Sequence, residues 1–185
     1  MAQMRTTADR SIRARRGAAA AAGAGGLLTI GSSFLPWIST ATEDGGSTSI
    51  TGWGGITGSS GIAGTNLNDV LDGAGTYRPG LLGLIFGAIA VIAAIALASV
   101  SRGQRPHRIT AAVLTLCGLA CAAFGVFRGV DPGDAGVFEP GDVSVAIGPW
   151  LTALGGVFML AAAAVIFAGV IDPPARTRWR GIQPR

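Results

Sequence analysis

The stretch Gly80–Val100, GLLGLIFGAIAVIAAIALASV, carries no Asp, Glu, Lys, Arg or His. A helix rises about 1.5 Å per residue and a bilayer's hydrocarbon core is about 30 Å thick, so a run of this length matches one crossing. Working outward, three more such stretches appear: Gly17–Ile38, Ile109–Phe127 and Gly148–Ile171, all likewise free of charge. In lipid a chain must satisfy its own backbone hydrogen bonds, so uncharged stretches of this length are read as helices. The expected fold is an all-α membrane protein, a four-transmembrane-helix bundle. Residues 1–16 form a basic N-terminal segment, 39–79 and 128–147 two loops, and 172–185 a basic tail.

Composition agrees. Of 185 residues, 49% are hydrophobic and 13% charged, with a mean hydropathy of +0.51. The net charge of +4 comes with a sequence pI near 10.4. Nucleic-acid binding would require those cations on a polar folded face, whereas here they flank apolar runs; no nucleic-acid partner is expected. The bilayer is the expected environment.

Positive charge flanking a span stays on the cytoplasmic side. Arg5, Arg10, Arg13, Arg15 and Arg16 precede the first stretch, and Arg102, Arg105 and Arg108 separate the second from the third. Arg176, Arg178, Arg180 and Arg185 follow the fourth, which puts twelve of the 14 cationic residues on one face. The opposite loops hold Arg78 and Arg128 among Glu43, Asp44, Asp69, Asp72, Asp131, Asp134, Glu139 and Asp142. This asymmetry predicts a multi-pass cell-membrane protein with both ends cytoplasmic. Trp37 and Trp150 are expected as anchors at the outer interface, and Trp179 at the inner one.

The first stretch is the least apolar, because Gly17–Gly26 is mostly Ala and Gly. An Arg-rich start, a mildly apolar run and the small residues Ser39-Thr40-Ala41 also fit a signal peptide. Against that reading, the run is long for a signal and ends in Pro36-Trp37.

The outer loops carry order signals that predict a small extracytoplasmic β-element. Ser47–Ile50 and Ile56-Thr57 read as short strands about Gly52-Trp53-Gly54-Gly55, a glycine turn. Thr65–Gly73 reads as a short helix capped by Thr65, with Leu67, Val70 and Leu71 on one face. Val137–Glu139 and Asp142–Val145 flank Pro140-Gly141, a turn pair.

Few residues suggest chemistry. Ionisable groups inside a bilayer mark ion and proton paths, and the four stretches have none. Gly83 and Gly87, and Gly125 and Gly129, form GxxxG pairs that favour close helix packing. Cys117 and Cys121 share a helix face, and with no ligand partner nearby they read as packing residues. Asn66, Asn68, Asp69 and Asp72 offer oxygen ligands without the spacing of a calcium loop. His107, the single histidine, reads as a solvated turn residue. Catalytic, metal and cofactor-binding residues are expected to be absent. Arg176–Arg180 with Trp179 would attract anionic headgroups.

Phe34-Leu35-Pro36-Trp37 at the end of the first stretch, a glycine-rich outer loop and Gly148–Gly156 opening the fourth resemble small four-pass membrane proteins of actinobacteria for which no activity is agreed. The layout is also similar to the claudin-like tetraspans, which implies an outer sheet on four helices; the claudin cysteine pair is missing from this loop. The expected function is non-enzymatic: an accessory or interaction subunit meeting a membrane-protein partner or a second copy. The alternative is an oligomeric channel or transporter component, favoured if Ser32, Ser33 and Thr115 converge on a shared interior.

Overall fold

A computed structural model describes residues 2–41, 45–72, 75–99, 104–132, 143–169 and 171. Four long helices make up most of it: α1 (Ala2–Ser32), α3 (Gly80–Ser99), α4 (Gln104–Val130) and α5 (Ile147–Phe167). Three of these are long and apolar enough to cross a membrane, namely α3, α4 over His107–Val130, and α5. The remaining elements are β1 (Pro36–Ala41), β2 (Ser47–Thr51), β3 (Ile56–Gly58), a single turn α2 (Leu67–Val70) and β4 (Ser144–Val145). The strands form one antiparallel sheet in the order β3-β2-β1-β4.

Boundaries moved where proline acts. The apolar run was expected to continue as helix to Ile38. Instead α1 ends at Ser32, and the chain winds down through hydrogen bonds from Phe34 N to Gly31 O and from Leu35 N to Ser32 O. Pro36 has no N–H to continue the ladder and disfavours helix at the residue before it. Trp37 and its neighbours therefore leave as strand β1. Of the turn expected over Ser101–Arg108, Gln104–Arg108 belongs to α4, with Pro106 tolerated near its start.

Helix α1 packs against both α3 and α5, and α4 packs against α5 and α3. Doubled glycines explain how one helix serves two neighbours. Successive helical residues point about 100° apart, so the two members of a Gly-Gly pair face different partners. A Cβ on Gly25 would lie 2.6 Å from Gly155 O of α5, and one on Gly26 would lie 2.7 Å from Gly87 O of α3. The same device recurs on α5. Gly155 returns the contact to Gly25 O at 2.7 Å, while Gly156 lies against α4, 2.6 Å from Gly118 O and from Ala122 N. Side chains are excluded at these points, and backbone meets backbone.

The large apolar residues that remain point outward on α3, α4 and α5. Ile85, Ile92, Ile95, Leu116, Leu119, Val157 and Phe167 are all exposed, the arrangement expected where the surroundings are lipid. Inside, Ala22, Ala90, Leu97, Leu114, Cys117, Cys121 and Met159 form the main core, and Trp37, Ile38, Ile50, Ile56, Leu67 and Tyr77 form a second core under the sheet.

Glycine substitutions separate these contacts from spacing. Gly155→Leu should destabilise the protein by about 1–3 kcal/mol or more through overpacking, read as a lower unfolding midpoint in detergent. Gly31→Leu, at a helical position where a Cβ meets nothing within 4 Å, should not.

Candidate functional site

Two places gather polar and aromatic groups: the half of the bundle interior nearer the sheet and the seam between bundle and sheet.

Inside the bundle, Thr29, Ser32, Ser33 and Thr152 are buried at no more than 1% exposure. A hydroxyl in such a setting costs free energy unless it is hydrogen-bonded, and each is. Thr29 Oγ1 donates to Gly25 O at 2.7 Å, and Ser32 and Thr152 hydroxyls share a bond of 2.7 Å between α1 and α5. Thr152 also bonds Gly148 O, and Ser33 Oγ reaches Gly80 O at 2.8 Å, fastening α1 to the start of α3. Thr115 stands apart, half-buried, and donates to Ala111 O of its own helix. Ser32 and Ser33 do converge inside a single chain, but their hydroxyls are spent on joining helices. Cys117 and Cys121 lie in the same interior as buried free thiols, and among the described residues no group of three or more His, Cys, Asp or Glu could hold a metal ion.

At the seam the principal residue is Trp37. Expected as an interfacial anchor, it is instead 1% exposed, because β1 turns its indole back beneath the sheet. Its Nε1 donates at 2.8 Å to Ser32 O, a carbonyl at the end of α1 that has no α-helical partner and also accepts from Leu35 N. Its ring lies 5.7 Å from that of Phe124 on α4, tilted by 44°. A Cβ on Gly148 at the start of α5 would collide with the indole, and one on Gly52 would come within 2.8 Å of Nε1. The Trp37 carbonyl accepts from Ala146 N at 3.1 Å, just ahead of α5. One side chain thus joins α1, α4, α5 and the β2–β3 turn.

The loop leading to α3 is pinned by asparagine. Asn66, not Thr65, caps α2, accepting from Asn68 N. Asn68 accepts from Tyr77 N at 2.7 Å and donates to Tyr77 O at 3.2 Å. Both amides also donate to Trp53 O. These side chains are committed to backbone, which explains their clustering without a cation. Tyr77 is thereby held at 2% exposure with its ring 5.9 Å beneath the Arg128 guanidinium, a separation suited to cation–π attraction. Arg128 is itself 7% exposed. It sits in the last turn of α4, where the helix dipole favours positive charge. Burial pushes the Tyr77 hydroxyl up to about 12, against the pull of nearby Arg128.

The other expected residues fall as follows. Gly83 and Gly87 lie against Gly26, Thr29 and Ile30 of α1 and Ser33 just beyond it; Gly125 meets Pro149 and Ala153 of α5, and Gly129 lies under the Trp150 ring. Trp150 is 46% exposed. Arg13, Arg16 and Arg108 are exposed and Arg15 is half-buried. His107, expected in solvent, is 3% exposed and lies in the first turns of α4, which begins at Gln104. Arg102, Arg176, Arg178, Trp179 and Arg180 lie outside the described residues, as does the Arg105 side chain. The strand expected at Val137–Glu139 falls outside them, as does Asp142, while of the strand expected over Asp142–Val145 the pair Ser144-Val145 forms β4.

Two measurements probe the seam. Trp37→Ala should cost about 3–5 kcal/mol of stability, and Trp37→Phe, which removes the indole's bond to Ser32 O while Leu35 N still donates to that carbonyl, about 0.5–1.5 kcal/mol. Tyr77 is the single tyrosine, so ultraviolet absorbance follows its ionisation alone. The folded midpoint should lie near 12 and the unfolded one near 10. The native state then holds its proton more tightly, so this contribution to stability is complete below about pH 10 and lost as pH rises through about 12.

No protein-family model and no curated protein matches this chain.

Proposed function

We propose that the chain is a four-span cell-membrane protein with both termini cytoplasmic, acting as a non-enzymatic interaction subunit that presents its sheet on the extracytoplasmic side to a membrane or envelope partner. The observation that carries the reading is the seam at Trp37, which fixes a polar sheet rigidly on apolar helices. A sheet held in this way is a platform. Its loop exposes Ile62 at 46% and Val70 at 52%, aliphatic groups available for a partner to cover. Phe34 stacks on Trp53 at 6.1 Å between sheet and helices, where the aromatic belt of a membrane protein would lie.

Sidedness is supported by the arginine distribution, and the fourth crossing by α1's place between α3 and α5. The uncharged part of α1, Gly17–Ser32, covers roughly 24 Å at helical rise, somewhat less than the hydrocarbon core. Its neighbours supply the remaining shelter. The committed interior hydroxyls and backbone-to-backbone contacts favour this reading over a path through the bundle.

Single cysteines in a background free of Cys117 and Cys121 test the topology. An impermeant maleimide applied to intact cells should label Ser59→Cys and spare Gln3→Cys; the reverse pattern, or an intact mass missing the first forty or so residues, overturns it. Crosslinking in native membranes should then join the Ile62–Val70 loop to another protein or a second copy. A chain that remains solitary removes the interaction role.

A further inference from the structure

Two apolar grooves flank α1, both touching Leu27. The outer one, about 370 Å³, runs beside α5 and includes Gly31, Leu35 and Leu151. The inner one, about 320 Å³, lies between α1 and α3, lined by Ala20, Gly23, Leu27, Ala94, Ile95 and Ala98. The inner groove exists because its walls are small: Gly23 supplies no side chain, and a Cβ there would only just touch the Ala94 Cβ, at 3.7 Å. Between the levels of Leu27 and Ala19 it extends about 12 Å.

The inner groove ends in charge and the outer one does not. Arg16 is exposed and stands three and four residues before Ala19 and Ala20, on the same helix face. Helical side chains lean towards the N-terminus, so Arg16 points away from the apolar walls towards the surface they open on. Arg13, also exposed, lies one turn further along.

From this we infer that the α1–α3 groove is a binding site for one anionic phospholipid, with an acyl chain along Gly23 and Ala94 and the phosphate held by Arg16 and Arg13. A narrow slot with cations at one end complements a molecule that is hydrocarbon below and anionic above. A transmembrane helix, about 10–12 Å across with its side chains, is too wide to enter the slot. The assignment rests on α1 crossing the membrane with Arg16 at its cytoplasmic end.

The test is native mass spectrometry of the full chain in mild detergent, with phosphatidylglycerol or phosphatidylcholine of identical chains as probes. Phosphatidylglycerol should remain at one per chain and phosphatidylcholine should be lost. Arg16→Gln should weaken retention about fivefold, and Arg13→Gln with Arg16→Gln by more than tenfold. Ala20→Leu with Ala98→Leu adds bulk at two exposed positions, fills the slot without entering the core, and should abolish retention. Equal retention of the two lipids, indifference to Arg16→Gln, or retention surviving the filled slot overturns the assignment. So does a photocrosslinker at Ala20 that captures a second copy or another protein in place of lipid. The Ser59→Cys label, run on each variant, separates the two failures: correct labelling without lipid sinks only this site, and inverted labelling sinks the topology too.

Discussion

Everything in this molecule depends on how closely α1 approaches α3 and α5. Among helices in lipid, burying apolar surface gives little advantage over leaving it in contact with acyl chains, so association rests on van der Waals packing and hydrogen bonds. Close packing needs helices without side chains at the crossing points. Gly25, Gly26, Gly87 and Gly155 provide that, each meeting a neighbour's backbone where a Cβ has no room. The consequence is directional. Gly25 and Gly26 set the angular relation of α5 and α3 around α1, and Gly155 and Gly156 set that of α1 and α4 around α5.

Polar groups then fix the register along these contacts. The bond between Ser32 and Thr152 and that between Ser33 and the Gly80 carbonyl occur at one level of the bundle, near the end of α1. Trp37 reads the same level from the other side through the Ser32 carbonyl. Helix contacts, hydroxyls and indole therefore converge within about two turns. This concentration is what lets a small four-stranded sheet hold a fixed orientation on the helices.

Much of this arrangement could be read from residues, and the failures have physical causes. The uncharged runs located α3, α4 and α5 because length and charge exclusion are one-dimensional properties. Ser47–Ile50 and Ile56-Thr57 were legible as strands through their alternation and the glycines between them. Trp37 misled because an indole after a proline at a helix end suits both an interface and a buried seam. Only the position of Gly148 and Phe124, distant in sequence, decides between them. The doubled glycines 25–26 and 155–156 stand in the sequence, yet in a chain with 30 glycines nothing local separates them from the GxxxG pairs. Arg128 reads as a loop charge because nothing local announces that Tyr77 folds beneath it. His107 reads as a solvated turn residue because nothing in the sequence marks Gln104 as the start of α4.

Sheet order adds a temporal consequence. β1, β2 and β3 are contiguous in the chain and can pair as soon as Gly58 is made, but the other edge of β1 is closed by Ser144 and Val145. Until those residues arrive, Ile38 and Ser39 present open backbone groups, the kind of edge that recruits foreign strands. Closure waits for α3 and α4 to be synthesised, and β4 is joined almost directly to α5. Seating the last helix and sealing the sheet are thus one event, so a chain arrested before α5 would carry an unsealed edge that quality-control machinery can recognise as unfinished.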